Sequence, residues 1–159
     1  MINHLDGWQK LPYSGNLGHY RNGGKYKVVN FLKDIYRKER TLTFMKARAD
    51  SLNDTITNAK RVNESLLTQT RNEYNEVLND IENLSTEIET DKIILTNLIG
   101  LVKDPFSRVI LQYKMVDRLP ANDLCKALHY CSTAVYEKYH VALDELEVYF
   151  LDYMKQEYK

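Results

Sequence analysis

The sequence predicts an all-α protein, a long antiparallel helical hairpin (coiled coil) followed by a helix-turn-helix module, and three observations predict it. No glycine or proline occurs between Gly24 and Gly100, a length of chain that helix accommodates and other structures do not. Within that stretch apolar residues recur at seven-residue intervals. Beyond it, Asp104-Pro105 opens a series of short helical patterns separated by turn signals.

Residues 1–27 hold five of the six glycines, with Pro12, Trp8, Tyr13, Tyr20 and several basic residues, and read as an irregular basic and aromatic arm. Such an arm can bind nucleic acid or a protein groove, or fold back on the rest of the chain. Residues 28–103 carry the hairpin. Val28, Ile35, Leu42, Ala49 and Ile56 form one heptad series, with Phe31, Met45, Leu52 and Ala59 three residues on and Lys38 as the exception. Leu67, Tyr74, Ile81, Ile88, Leu95 and Val102 form a second, with Val77, Leu84 and Leu98 beside it and Thr70 and Asp91 interrupting. Ile56 and Leu67 are eleven apart, so the two series do not share a register, and the polar stretch Lys60 to Ser65 lies between them. Two helices of roughly 48 and 55 Å, at about 1.5 Å per residue, are therefore expected in place of one rod. A short connection makes them antiparallel neighbours. Asp91 in the seam either specifies register or marks where the partner helix ends.

Residues 104–159 carry the module. Asp104 caps a helix whose first residue is Pro105, and Val109, Ile110, Tyr113 and Val116 are expected to line its apolar face. The chain breaks at Asp117 to Pro120, resumes with Leu124 and Leu128, turns at His129-Tyr130-Cys131, and resumes with Val135, Tyr139, Ala142 and Leu146. Two helices joined by so short a turn form the core of a helix-turn-helix, whose second helix is the usual reader of a major groove. Tyr139, Phe150 and Tyr153 continue the apolar stripe of that last helix.

Net charge is zero, but unevenly spread. Residues 1–40 have eight Lys/Arg and three Asp/Glu, residues 41–103 seven and ten, and residues 104–159 seven and nine. The basic surplus thus lies in the arm and not in the candidate DNA reader. No run of apolar residues is long enough to span a bilayer, and no signal pattern opens the chain, so a cytoplasmic protein is expected. Cys125 and Cys131 lie six apart around a tight turn, a poor geometry for a disulfide, and fit a reducing compartment.

No catalytic constellation, cofactor motif or metal set stands out, and we expect neither an enzyme nor a cofactor protein. Cys125, His129, Cys131 and His140 fall within sixteen residues, but their spacing matches no zinc finger, and Cys125 reads as a packed thiol. Glu87 and Glu89, two apart on a helix, do not face one another and belong to a solvated face.

The residues Asp104-Pro105, Arg108, Ile110-Leu111, Lys114, Leu124-Cys125, Leu128, Tyr130, Val135-Tyr136 and Ala142-Leu143 carry a resemblance that runs without a gap for about forty positions. They resemble region 4 of bacterial sigma factors, and more closely the ArpU/RinA-type late-transcription regulators of phages and prophages of Gram-positive bacteria. Those regulators usually have glycine where this chain has Arg118 and His129, a hydroxyl residue at Pro120, and serine at Cys131. Recognition-helix positions that are often basic or amide-bearing are here Thr133, Ala134, Glu137 and Val141. The resemblance implies a sigma-like module and a regulator acting through promoter DNA, host RNA polymerase or both.

The candidate DNA-contacting set comprises the cations around the helix pair, Lys114, Arg118, Lys126 and Lys138, with Ser132, Thr133, Tyr136 and Glu137 on the second helix. Direct base reading favours Arg, Lys, Asn or Gln, so contact here is expected chiefly through phosphates. The rival expectation is a helical adaptor or inhibitor that binds a protein through the same surfaces without reading DNA. In either case a homodimer is expected, because the seam positions outnumber what one hairpin buries.

Overall fold

A computed structural model describes residues 26–59 and 63–157, and among them every regular element is a helix. Helix α1 spans Lys27–Thr57 and α2 spans Glu64–Gly100. Helix α3 spans Pro105–Leu111 and continues directly into a π turn over Gln112–Val116. Helices α4, Ala121–Leu128, and α5, Ser132–Glu157, complete the chain. The fold is all-α, with two long helices preceding a helix-turn-helix arrangement. The expected arm lies almost wholly outside the described residues, of which Tyr26 is the first.

Tertiary contacts divide the chain into two compact units, with the cuts inside α1 and α2. One is the stretch Asp34–Asp91. The other joins the described residues up to Lys33 with those from Lys92 onward.

In the first unit the two helices run antiparallel. Lys38 of α1 pairs with Glu87 and Asp91 of α2, while Arg48, further along α1, pairs with Glu73, earlier in α2. Heptad positions face the seam: Ile35, Ala49, Leu52 and Ile88 are buried, and Leu42, Met45, Leu67, Tyr74, Val77, Ile81 and Leu84 are half-buried. Lys38 and Asp91, the two charged exceptions to the apolar pattern, meet each other at 2.8 Å. Two more carboxylates, Glu87 at 2.6 Å and Asp34 at 3.3 Å, complete the surroundings of the ammonium. Burial opposes the charge of Lys38, but hydrogen bonds to Asp91, Glu87 and Asp34 outweigh it and raise its pKa above the ordinary lysine value.

The second unit is built around α5. Val135, Tyr136, Tyr139, Ala142, Leu143, Leu146 and Phe150 form its buried face, and Ile110, Leu111 and Met115 pack there with Leu124. Phe31, in the first turns of α1, lies against Phe150 with ring centroids 5.3 Å apart. Carboxylates on α5 hold the start of α1 and the segment that follows α2. Glu147 accepts from the backbone N–H groups of Lys27 at 2.8 Å and Val28 at 3.1 Å, which caps α1 from a residue 120 positions away. Glu145 accepts from the N–H of Lys103, and Asp144 from the hydroxyl of Tyr26. Asp104 caps α3 as its sequence position predicts, accepting from both the N–H and the hydroxyl of Ser107 at 3.0 Å. The Arg108 guanidinium donates to the carbonyls of Val102 and Lys103, just beyond the end of α2.

The expected apolar face of α3 is corrected. Val109 is exposed and Tyr113 and Val116 only half-buried, while Ser107, Ile110, Leu111, Lys114 and Met115 turn inward. Those positions are i, i+3, i+4, i+7 and i+8, a regular helical face that the sequence hides by placing a lysine in it. At Asp117 the N–H reaches back five residues to the Gln112 carbonyl, which makes the last turn a π turn.

Candidate functional site

The helix pair of the module is α4 and α5, joined by His129, Tyr130 and Cys131. Its turn is closed by the Tyr130 N–H bonding the Cys125 carbonyl at 3.2 Å while His129 takes a left-handed conformation, φ 58°. Arg118, after the π turn, also has a positive φ, 57°. At both positions the backbone takes the left-handed geometry and the side chain bears its steric cost, about 1 kcal/mol for a residue with a Cβ. Pro120 precedes α4 and gives it no side-chain cap.

The structure sorts the candidate contact residues into three groups by exposure. Ser132, Thr133, Glu137 and Lys138 face solvent on α5, with Val141 one turn further on, and Lys126 faces solvent on α4. Arg118 is half-buried. Lys114 and Tyr136 are corrected, because both lie inside, at 1% and 3% exposure. Lys114 occupies the inner face of the π turn among Ile110, Leu111 and Met115, and burial pushes its ammonium down to about 7. A side chain so enclosed presents no charge to a phosphate. Tyr136 shares the α5 core face, and its ring centroid lies 4.3 Å from that of His140 with the two planes tilted by 60°.

Lys138 has a second role that sequence alone does not reveal. Its ammonium sits 5.3 Å from the Phe106 ring centroid and 5.6 Å from that of Tyr130, and those two rings meet edge to face. This cation–π contact ties α5 to α3 and to the turn, and holds the ammonium beside the exposed N-terminal end of α5. The signal was present as an aromatic at 106 and another at 130, but only the packing of α3 against the turn brings them under one lysine.

Among the described residues no group of three His, Cys, Asp or Glu side chains is placed to hold a metal ion. Cys125 and Cys131 are unbridged, and burial, then the neighbouring Cys131, raise the pKa of the Cys125 thiol, opposite to the shift that activates a nucleophile. An open cleft of about 540 Å³ lies between the end of α2 and α3, lined by Thr96, Ile99, Gly100, Pro105, Arg108 and Val109. Its one guanidinium is already taken up by the Val102 and Lys103 carbonyls. Among the described residues no helix is long and apolar enough to cross a membrane.

Fold and surface together define the class: an all-α protein with a two-helix antiparallel hairpin and a helix-turn-helix whose second helix is open to solvent along one face. Within it, residues 71–147, from early in α2 to just past the middle of α5, match a family described as protein of unknown function, DUF1492. No curated protein and no solved structure matches the chain. The family match carries no activity of its own, so function has to be argued from the surface of α4 and α5.

Proposed function

We propose that this chain is a phage-type transcription regulator acting through promoter DNA, RNA polymerase or both, with the outward face of α5 as its contact surface. The observation that carries the reading is the exposed set Ser132, Thr133, Glu137 and Lys138 at the start of the second helix of a three-residue-turn pair. Hydroxyls at that end can bond phosphate oxygens, and Lys126 and Lys138 supply the charge. Glu137 opposes it. With Lys114 and Tyr136 in the core, DNA contact falls to fewer residues than the sequence suggests, so affinity is weak and largely indifferent to base sequence.

One observation favours the second reading, a helical adaptor that binds a protein: Val141, an aliphatic side chain on the same face, is 69% exposed. A protein groove rewards that side chain, whereas a phosphate backbone does not.

Fluorescence anisotropy with labelled duplexes at low salt, paired with retention of RNA polymerase from nuclease-treated host extract, tests the proposal. Weak duplex binding that falls steeply with salt, weakens with Lys126→Ala and Lys138→Ala, and tightens with Glu137→Arg supports the DNA route. Retained polymerase without duplex binding supports the polymerase route. Absence of both duplex binding and polymerase retention overturns the regulator reading and leaves the adaptor.

A further inference from the structure

Helix α5 has two apolar faces and the chain covers one of them. Its inner face carries the core residues from Val135 to Phe150. On the other side Ala134, Val141, Val148 and Lys155 recur every seven residues, and Glu137, Asp144 and Leu151 lie three further along. Apart from the half-buried Ala134, all of them face solvent. Val141 is 69% exposed, Val148 56% and Leu151 41%. One exposed valine needs no explanation, but three aliphatic side chains in line at coiled-coil spacing form a seam without a partner. At either end of it stand Glu137 and Lys155, neither of which has an ion pair among the described residues.

We propose that this seam takes a second copy of the chain, α5 against α5, antiparallel about a two-fold axis. The charges choose both occupant and direction. In an antiparallel pair the register that sets Val141 against Leu151 of the second copy also sets Glu137 against its Lys155, and symmetry repeats each pair. The ends are then closed by two opposite-charge pairs, with an aliphatic Val141–Leu151 layer next to each. Asp144 falls opposite Val148, and its carboxylate is already held by the Tyr26 hydroxyl. A parallel pair would instead set Glu137, Asp144 and Lys155 each against its own kind, three repulsive layers in one short seam.

One helix pair covers less than the roughly 1,600 Å² of a standard interface, so the dimer is weak, with a dissociation constant on the order of 10 μM. Pairing covers Glu137 and Val141, so only the monomer presents that face to another partner. The inference rests on the geometry and charge of α5 and is independent of the regulatory reading above.

Sedimentation of the full chain over a broad micromolar range tests it, with circular dichroism to show that the variants remain folded. Val141→Lys is expected to weaken dimerisation by roughly thirtyfold or more and Glu137→Lys by about tenfold. Adding Lys155→Glu to Glu137→Lys should restore it to within about threefold, because the exchanged charges meet again across the axis. In a Cys125→Ala, Cys131→Ser background, a mixture of Val141→Cys and Leu151→Cys chains should form an intermolecular disulfide that Val141→Cys alone does not, since identical positions lie about 15 Å apart along the axis. A monomer at every concentration, a dimer indifferent to Val141→Lys and to the charge exchange, or a disulfide in Val141→Cys alone would each overturn the proposal.

Discussion

The stretch from Asp34 to Asp91 and the unit containing α3, α4 and α5 use the same aliphatic residues for different kinds of stability. In the hairpin, buried side chains are few, Ile35, Tyr36, Ala49, Leu52 and Ile88, and most seam residues stay half in water. Two helices can cover only one stripe of each other, so every layer contributes a little and no layer is decisive. In the other unit, Ile110, Leu111, Leu124, Val135, Leu143 and Leu146 are almost fully enclosed, from several directions at once. The polar exceptions follow the same division. The hairpin admits Lys38 by surrounding it with carboxylates, whereas the compact unit admits Lys114 by pushing it toward neutrality. A seam open to solvent tolerates a charge with partners, while an enclosed core makes the charge itself expensive.

The largest expected effect contrasts the two interiors directly. Leu146→Ala removes a fully enclosed side chain and should cost about 2–5 kcal/mol, whereas Leu84→Ala in the half-open seam should cost about 1 kcal/mol. Denaturant titration of the two variants measures both. Equal losses would erase the distinction drawn between the units.

Next comes the pH dependence of Lys114. Its pKa is lowered to about 7 in the folded chain from an ordinary value of 10.5, so between those values the unfolded chain binds the extra proton. Stability therefore falls as pH drops from about 10 toward 7 and levels off below, by a few kcal/mol at most. Lys114→Met should be more stable than the parent at pH 7 and should lose that slope. Stability measured at pH 6, 8 and 9.5 for both chains checks it, and an unchanged slope in the variant would place the titration elsewhere.

Removing the seam charge tests the hairpin side. Lys38→Ala leaves Asp91, whose side chain is 14% exposed, without its ammonium and should cost about 1–2 kcal/mol. Replacing Lys38 and Asp91 together with leucine should recover most of that loss while loosening the register, which spin-label distances between α1 and α2 would show as a broadened distribution. A double variant as unstable as the single one would mean that the pair matters through more than its mutual compensation.

The smallest effect concerns the backbone. His129→Gly should stabilise the chain by about 0.5–1 kcal/mol, because the left-handed conformation that closes the turn carries no Cβ penalty in glycine. Thermal unfolding should register a rise of a few degrees; a fall would show that the imidazole makes contacts worth more than the strain.

Local signals made much of the architecture legible. A proline at 105 with a capping aspartate before it fixes where α3 begins, because both act within one turn. The heptad series revealed the seam for the same reason, since periodicity is carried by neighbours in sequence. The candidate site was only partly legible. Lys126, Ser132, Thr133, Glu137 and Lys138 lie outside as a helix-turn-helix reading expects, but Lys114 and Tyr136 do not, since a lysine and a tyrosine read as surface or edge residues wherever packing is unknown.

The sequence by itself determined the all-helical class, the breaks at 117–120 and 129–131, and the three seam positions that depart from apolar character, because each depends on residues within a few positions of one another. Only the tertiary structure decided that Lys38 and Asp91 answer each other across 53 positions, that Glu147 caps α1, and which face of α3 turns inward. Those outcomes depend on which helix arrives opposite which, and that is set by the combined burial of many side chains, not by any one of them.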